Sequence, residues 1–386
     1  MLRTWTWANQ NAVPLTQALI DNKCTYTKCN FKLAADKSGG RGQGGPAVDK
    51  CQRFFVSFII VPGSGHLPIL PGNRASNAAG SAPLSTMYKR VIRTSQGQRA
   101  DIGMFRIQRV LANEHVEAVG PFVFLDNILP IQHAPGAPLH EANGTGAHPH
   151  RGIATLTYVL SGEALHRDSR GHTALVRSGG AQWMSAGNGI VHDEAINPDP
   201  ATGARITRGL QFWVNLPAQQ KAQHPDYRSL PAAVLPLVAL PSAAGWLKVI
   251  IGEWAGQTSP VPTYSPQFIY HVHLEAGQRL SLPTTAGHEY AGLVLDQPAT
   301  VDGTPRQPGA FLLFDPATDA PLDLGATAAT ATDMLIFGGA PYAEPIVAQG
   351  PFVMNSRQEI MQAYNDFYKG KYGTIDYSLV PEPLLA

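Results

Sequence analysis

The segment from His148 to Glu194 constrains the fold more tightly than any other part of the chain. It reads as a ladder of short strands, over residues 154–160, 163–168, 173–176 and 181–184, with turns at 161–162, 169–172, 178–180 and 186–189. Strands this short, separated by turns rich in Gly and Ser, leave no space for a helix of ordinary length. They favour an antiparallel sandwich or barrel. A His-x-His pair opens the ladder (His148-Pro149-His150) and a His-x-Glu pair closes it (His192-Asp193-Glu194).

In a strand, side chains at i and i+2 point to the same face. His148 with His150, and His192 with Glu194, can therefore each direct two donor atoms to one point. Three imidazoles and a carboxylate suit a first-row transition metal such as Fe, Mn, Ni, Cu or Zn. Pro149 fixes φ between the first two donors and limits the entropy lost when both coordinate. Gly187 and Gly189 allow the sharp turn that would bring His192 towards His148. Four protein donors on an ion that accepts six leave open positions, the mark of a catalytic rather than a closed structural site. A lone His-x-His on a strand is more often an ordinary polar face, so the pairing of two such motifs carries the argument.

The rest of the chain extends this picture. Residues 105–111 alternate apolar and polar as a half-buried strand does, residues 122–126 read as a strand buried on both faces, and 210–216 alternate again. After a Pro-punctuated connector at 221–235, a second β-block runs through 247–252, 268–274, 290–295, 311–314 and 334–337. Its length and strand density match the first, which suggests a duplicated β-barrel. Gly (38) and Pro (32) are abundant while charged residues are 15% of the chain, in keeping with an all-β protein. The predicted helix lies at the C-terminus: Ser356-x-x-Glu359 is a capping-box pattern, Ile360, Met361, Tyr364, Phe367 and Tyr368 form an apolar stripe, and Gly370 is a natural stop. Such a helix should pack on the outside of a barrel.

Residues 1–86 differ in texture. Two low-complexity stretches, at 37–46 and 71–85, read as linkers, and the whole segment reads as a poorly ordered extension. Met87 opens a chain that looks complete by itself. Cys24, Cys29 and Cys51 would be three quarters of a zinc site, but their spacing fits no common knuckle. No cysteine falls in the presumed core, so a reducing compartment is expected. The most apolar run, at 54–61, is far below the roughly twenty residues that span a bilayer. Residues 1–10 lack a secretory pattern, so a cytoplasmic location is expected. With 29 Lys and Arg against 28 Asp and Glu, the chain has no electrostatic footprint for nucleic acid or an anionic membrane.

His148-Pro149-His150-Arg151-Gly152, residues 182–194 (Gln182-Trp183-Met184 through His192-Asp193-Glu194), and Leu210-Gln211-Phe212-Trp213-Val214-Asn215-Leu216 closely resemble the pirin family. Gly350-Pro351-Phe352-Val353-Met354-Asn355 resembles that family's C-terminal signature. The resemblance covers about residues 87–375. It implies two tandem cupin barrels, at 87–217 and 218–386, with one metal, usually iron as Fe(II), in the first. The family's ligands fall here on His148, His150, His192 and Glu194. The resemblance further implies a quercetinase-type dioxygenase opening a flavonoid-like substrate, with Glu194 as ligand and base, or a non-enzymatic, redox-dependent regulator that binds a protein partner. One departure stands out: many pirins have Phe-Glu-Thr where this chain has Ile153-Ala154-Thr155, which puts any pocket-shaping role of that Glu in question. His271-Val272-His273, with His288, is a second pair to examine, although the C-terminal barrel of pirins is generally metal-free. His166 and His172 are expected on a strand face and a turn, and Trp183 and Trp213 in the core.

Overall fold

The computed structural model describes residues 87–102, 105–113, 116–134, 144–203 and 205–381. The extension at 1–86, with its three cysteines, lies outside the described residues. Four strands, β1 (Val91–Ser95), β2 (Gln98–Ile102), β3 (Phe105–Leu111) and β4 (Phe122–Gln132), precede the ladder. The ladder itself is β5 (His148–His150), β6 (Ile153–Ser161), β7 (Glu163–Asp168), β8 (Thr173–Arg177), β9 (Ala181–Ser185) and β10 (Ile190–Asn197). Then come β11 (Ile206–Asn215), a single-turn helix α1 (Ala218–Lys221) and β12 (Asp226–Leu230). Seven of these strands form one sheet, in the order β12-β9-β6-β11-β4-β3-β2, and a four-stranded sheet, β5-β10-β7-β8, faces it.

The second half repeats the arrangement. It contains β13 (Leu237–Ala239), β14 (Gly245–Ile251), β15 (Glu253–Trp254), β16 (Gln257–Thr258), β17 (Gln267–Leu274) and β18 (Arg279–Leu282). These are followed by β19 (Glu289–Val294), β20 (Ala299–Val301), β21 (Thr304–Arg306), β22 (Phe311–Phe314), β23 (Leu322–Ala326) and β24 (Thr332–Gly339). A seven-stranded sheet, β1-β22-β19-β24-β17-β14-β13, is covered by β18-β23-β20-β21. The fold is thus the expected pair of tandem all-β cupin barrels. The sheets, however, cross the sequence boundary near residue 217: β1 pairs with β22 of the second barrel, and β12 pairs with β9 of the first.

The outer faces of the two seven-stranded sheets meet back to back. Leu156, Tyr158, Phe212 and Val214 of one barrel pack with Ile251, Ile269, Leu335 and Phe337 of the other in one buried cluster. At its centre Phe122, Phe212 and Phe337 make edge-to-face contacts, with centroids 5.6, 5.5 and 5.2 Å apart. Trp183 is fully buried in the same layer, as expected of a core residue.

Strand alternation decides the fate of the second histidine pair. On β17, Phe268, Tyr270, Val272 and Leu274 fill the second barrel's interior. His271 and His273 therefore lie on the opposite face. There His271 Nδ1 lies 2.9 Å from the Tyr158 hydroxyl, and both rings bond Asp333 Oδ1, at 2.9 and 3.0 Å. Among the described residues, His271, His273 and His288 belong to no converging donor cluster.

After the second barrel the chain returns to the first. A hairpin of β25 (Val347–Gln349) and β26 (Phe352–Met354) leads into α2 (Arg357–Tyr368). Ser356 Oγ accepts from Glu359 N–H, while Glu359 Oε2 accepts from Asn355 N–H at 2.9 Å, so the predicted cap forms. Ile360 and Ala363 are buried against Val191, Phe352 and Tyr372, with Tyr364 and Phe367 alongside. Met361 and Tyr368, assigned to the stripe from sequence, are 61% and 77% exposed. Met361 is about 100° round the helix from Ile360, and the contact face is too narrow to include it. Among the described residues no helix is long and apolar enough to cross a membrane.

Phe337 sits where the two barrels join, so Phe337→Ala should cost about 3–5 kcal/mol, the range for truncating a fully buried aromatic. Urea denaturation measures this. A loss no larger than that of an exposed control such as Met361→Ala would mean that the back-to-back face is not a core.

Candidate metal centre

The pairing of three neighbouring strands builds the site. Antiparallel register sets His192 of β10 opposite His148 of β5 on one side and Asp168 of β7 on the other, and sets Glu194 opposite His166. Three pairs spaced by two residues therefore share the inner face of one sheet: His148 with His150, His192 with Glu194, and His166 with Asp168. His166 does sit on a strand face, but that face is the interior, and the residue is 1% exposed.

The rings of His148, His150 and His192 converge, with centroids 5.0, 4.4 and 5.0 Å apart. His148 Nδ1 lies 2.8 Å from the Gly146 carbonyl, and His150 Nδ1 lies 3.0 Å from the Pro351 carbonyl. A carbonyl can only accept, so each Nδ1 carries a proton and each Nε2 is left to face the cluster. His148 Nε2 is 3.1 Å from His192 Nε2, and His192 Nδ1 is buried without a partner. Burial, reinforced by the neighbouring His148, holds the His150 pKa down to about 3. Burial, then His148, His150 and His166, keeps His192 well below the ordinary imidazole range. Three converging rings, two of them held below the ordinary imidazole range and one with an unpartnered buried nitrogen, fit a cation better than they fit one another.

Glu194 stands slightly apart. Its carboxylate groups closely with His192 and His166, whereas the tight cluster of His148, His150 and His192 does not include it. Thr157 Oγ donates to Oε1 at 2.7 Å and Gln211 Nε2 donates to Oε2 at 2.5 Å. These two donors belong to a lateral polar row on the facing sheet, where Arg109, Asp126, Gln211, Thr157 and Gln182 are successive register partners. Arg109 pairs with Asp126 through two 3.0 Å bonds. Burial nonetheless raises the Asp126 pKa, against the lowering effect of Arg109. At the other end Tyr227 donates to Gln182 at 2.7 Å and stacks on His166 at 4.1 Å. Burial, then the charges of Glu194 and Asp168, keeps this phenol protonated.

Asp168 completes the surround. It accepts from His166 Nε2 at 3.0 Å, from His172 Nδ1 at 2.8 Å and from the Arg170 N–H at 2.8 Å. Burial alone would raise its pKa, but these bonds and the two imidazoles outweigh that and lower it. Trp213 is not solely a core residue. It stacks on Phe124 at 4.2 Å and presents its face or edge to His150 at 4.9 Å, in a T-shaped arrangement. Ala154 points the other way, into the layer between the barrels. A glutamate there would not line the metal cavity, so the departure from Phe-Glu-Thr does not reshape it. Beside Glu194 a cavity of about 30 Å³ is walled by Phe105, Ile107, Ile128 and Ile196.

The buried rings tie stability to pH. The His150 pKa in the folded chain lies below its unfolded value near 6.5, so its contribution is complete above 6.5 and is lost as pH falls towards 3. At pH 5 the loss is roughly 2 kcal/mol for one such histidine. Urea midpoints of the metal-free protein should fall between pH 7 and pH 5, and His150→Asn should flatten that fall. Equal slopes in both proteins would show that burial does not depress this group.

Comparison with known proteins agrees with this architecture. The pirin family model matches residues 104–214, and the model for the pirin C-terminal cupin domain matches residues 269–373. A Pseudomonas aeruginosa protein provisionally named a quercetin 2,3-dioxygenase is 37% identical over 254 residues, covering 66% of this chain and 87% of that protein. A pirin-like protein of Caulobacter vibrioides is 34% identical over 277 residues, covering 71% of this chain and 92% of its own length. The crystal structure of a quercetin 2,3-dioxygenase from Acinetobacter baumannii superposes with a TM-score of 0.68 at 31% identity, covering 75% of this chain and 100% of that one. With both barrels matched in order and the His/Glu cluster lying in the first, the chain belongs to the pirin family.

Proposed function

We propose that this chain is a mononuclear metal protein whose ion, iron(II), is held by His148, His150, His192 and Glu194, and that it opens 3-hydroxyflavones with dioxygen and release of carbon monoxide. The observation that carries this reading is the set of three imidazoles that converge beside a buried carboxylate, two of them bonded through Nδ1 to backbone carbonyls. Relatives named as quercetin 2,3-dioxygenases support the choice of reaction. When bound, the ion supplies a Lewis acid and a one-electron partner for dioxygen and for a chelating hydroxyl–carbonyl pair.

The protein's share is positioning and proton transfer. His148 and His150 are pre-set by backbone carbonyls, so neither ring must reorient before it binds. Glu194 takes the 3-hydroxyl proton as general base. Thr157 donates to Oε1 and Gln211 to Oε2, which fixes the carboxylate's orientation and leaves a lone pair on each oxygen for that proton. The walls of Phe105, Ile107, Ile128 and Ile196 offer an apolar face to a flat aromatic ring.

A second reading has its own support. The cavity of about 30 Å³ beside Glu194 holds one or two waters rather than a flavonol. Substrate entry therefore requires the walls to move apart. If they do not, the site serves a regulator whose metal oxidation state alters the surface offered to a protein partner.

Two measurements test these readings. Purified wild type should retain about one metal ion per chain, and His148→Ala should bind at least about tenfold more weakly. Equal metal content in the two proteins would sink the ligand assignment. After anaerobic iron loading, wild type should consume quercetin and release carbon monoxide, and His150→Ala should not. Metal binding without turnover, together with a partner that distinguishes Fe(II) from Fe(III), would favour the regulator.

A further inference from the structure

The segment Gly350-Pro351-Phe352-Val353-Met354-Asn355 stands out in the sequence, and of it only the Pro351 carbonyl has entered the chemistry above. It follows the second barrel but lies against the first. Phe352, Val353 and Met354 are buried, and Arg151, the residue after His150, forms a parallel bridge with Phe352. Val353 N–H donates to the Arg151 carbonyl at 3.1 Å. In the same contact the Pro351 carbonyl accepts from His150 Nδ1, 201 positions away in sequence.

We propose that residues 350–354 are a positioning element of the metal centre: the Pro351 carbonyl holds the His150 proton on Nδ1, and so presents Nε2 as a lone pair. The inference rests on the reading of His150 as a ligand. Without an acceptor at Nδ1, a neutral imidazole divides between two tautomers, and one of them aims an N–H at the ion. The geometry of the segment suits this task. Gly350 has φ +56°, and a Cβ there would lie 2.6 Å from the Tyr364 hydroxyl. The proline ring then fixes φ just before the accepting carbonyl. A Cβ on Gly152 would come within 2.0 Å of the Val353 carbonyl, so only glycine lets the two segments approach this closely.

Two contacts clamp the element. Lys221, 3% exposed, donates from Nζ to the Val353 carbonyl at 2.9 Å. Arg151 pairs with Asp366 of α2 at 2.9 Å, tying the ligand strand to the helix that follows the segment. Lys221 touches none of the four proposed ligands. It acts through the segment, and this separates a positioning role from a direct one.

Lys89 provides a matched control. It is 1% exposed and donates from Nζ to the Asp315 carbonyl at 3.0 Å and to the Thr318 carbonyl, both in the second barrel. Zinc affinity of wild type, Lys221→Met and Lys89→Met would be measured by chelator competition at neutral pH, and the His150 tautomer of the metal-free proteins by imidazole nitrogen NMR. Both variants should lose thermal stability. Only Lys221→Met should weaken zinc binding, by about tenfold or more, and lower the fraction of His150 protonated on Nδ1. If Lys221→Met does not fold, Gly350→Ala makes the same test, with the same loss expected. Wild-type zinc affinity and an unchanged tautomer in the variant that folds would overturn the proposal. A wild type that binds no zinc would instead overturn the ligand reading beneath it.

Discussion

The site depends on one constraint, the antiparallel register of β10 between β5 and β7. Because side chains alternate with period two, sliding β10 by one residue would send His192 and Glu194 to the outer face and abolish the convergence. Both faces of the strand resist such a slip. Ile196 is buried in the barrel interior with Val159 and Ile128, while Val191 is covered by Phe352 and α2. The turn into β10 adds a further lock. Gly189 has φ +127°, and a Cβ there would stand 2.1 Å from the Tyr372 ring, so the chain enters the strand along a path that only glycine permits. Burial of ordinary apolar side chains thus fixes where the polar ones meet.

The two barrels share a strand plan and differ in what fills it. The second is packed with Phe268, Tyr270, Val272, Phe314 and Ile336, a lining that would leave a cation unsolvated. The first accepts a row of buried polar groups, which is tolerable only because its members bond one another. Arg109 meets Asp126, Gln211 and Thr157 meet Glu194, and Tyr227 meets Gln182. Among the buried nitrogens left without partners are His192 Nδ1 and Gln182 Nε2. His192 belongs to the cluster of converging donors, where an ion is one explanation for an unmet group.

Local spacing made much of this legible. His-x-His and His-x-Glu announce shared faces because strand geometry needs only two residues to express itself, and the duplicated β-blocks follow from turn chemistry. What escaped were relations between distant strands. His166 and Asp168 carry the same spacing as the two candidate ligand pairs, but nothing nearby in sequence says that β7 lies beside β10. Thr157, Gln182 and Gln211 look like solvent-facing alternation until register lines them up under Glu194. Ala154 read as a missing pocket residue because its motif adjoins the histidines, although the pleat turns it away. Met361 fitted an apolar stripe whose true width is set by Val191, Phe352 and Tyr372.

The second histidine pair gains a physical role from the same register logic. Asp333 can only accept, so His271 donates to it from Nε2, while His271 Nδ1 lies 2.9 Å from the Tyr158 hydroxyl. Burial, then the Asp333 charge, keeps that phenol protonated, while the bonds from His271 and His273 outweigh burial and lower the Asp333 pKa. Tyr158 follows Thr157 directly on β6. One residue faces the seam between the barrels, and the next faces inward to hold Glu194. The second barrel therefore touches the back of β6, while the hairpin that follows it reaches His150 through the Pro351 carbonyl. Among the described residues the second barrel's interior offers no cluster of donors, and its contribution to the candidate site is the contact it makes with the back of β6.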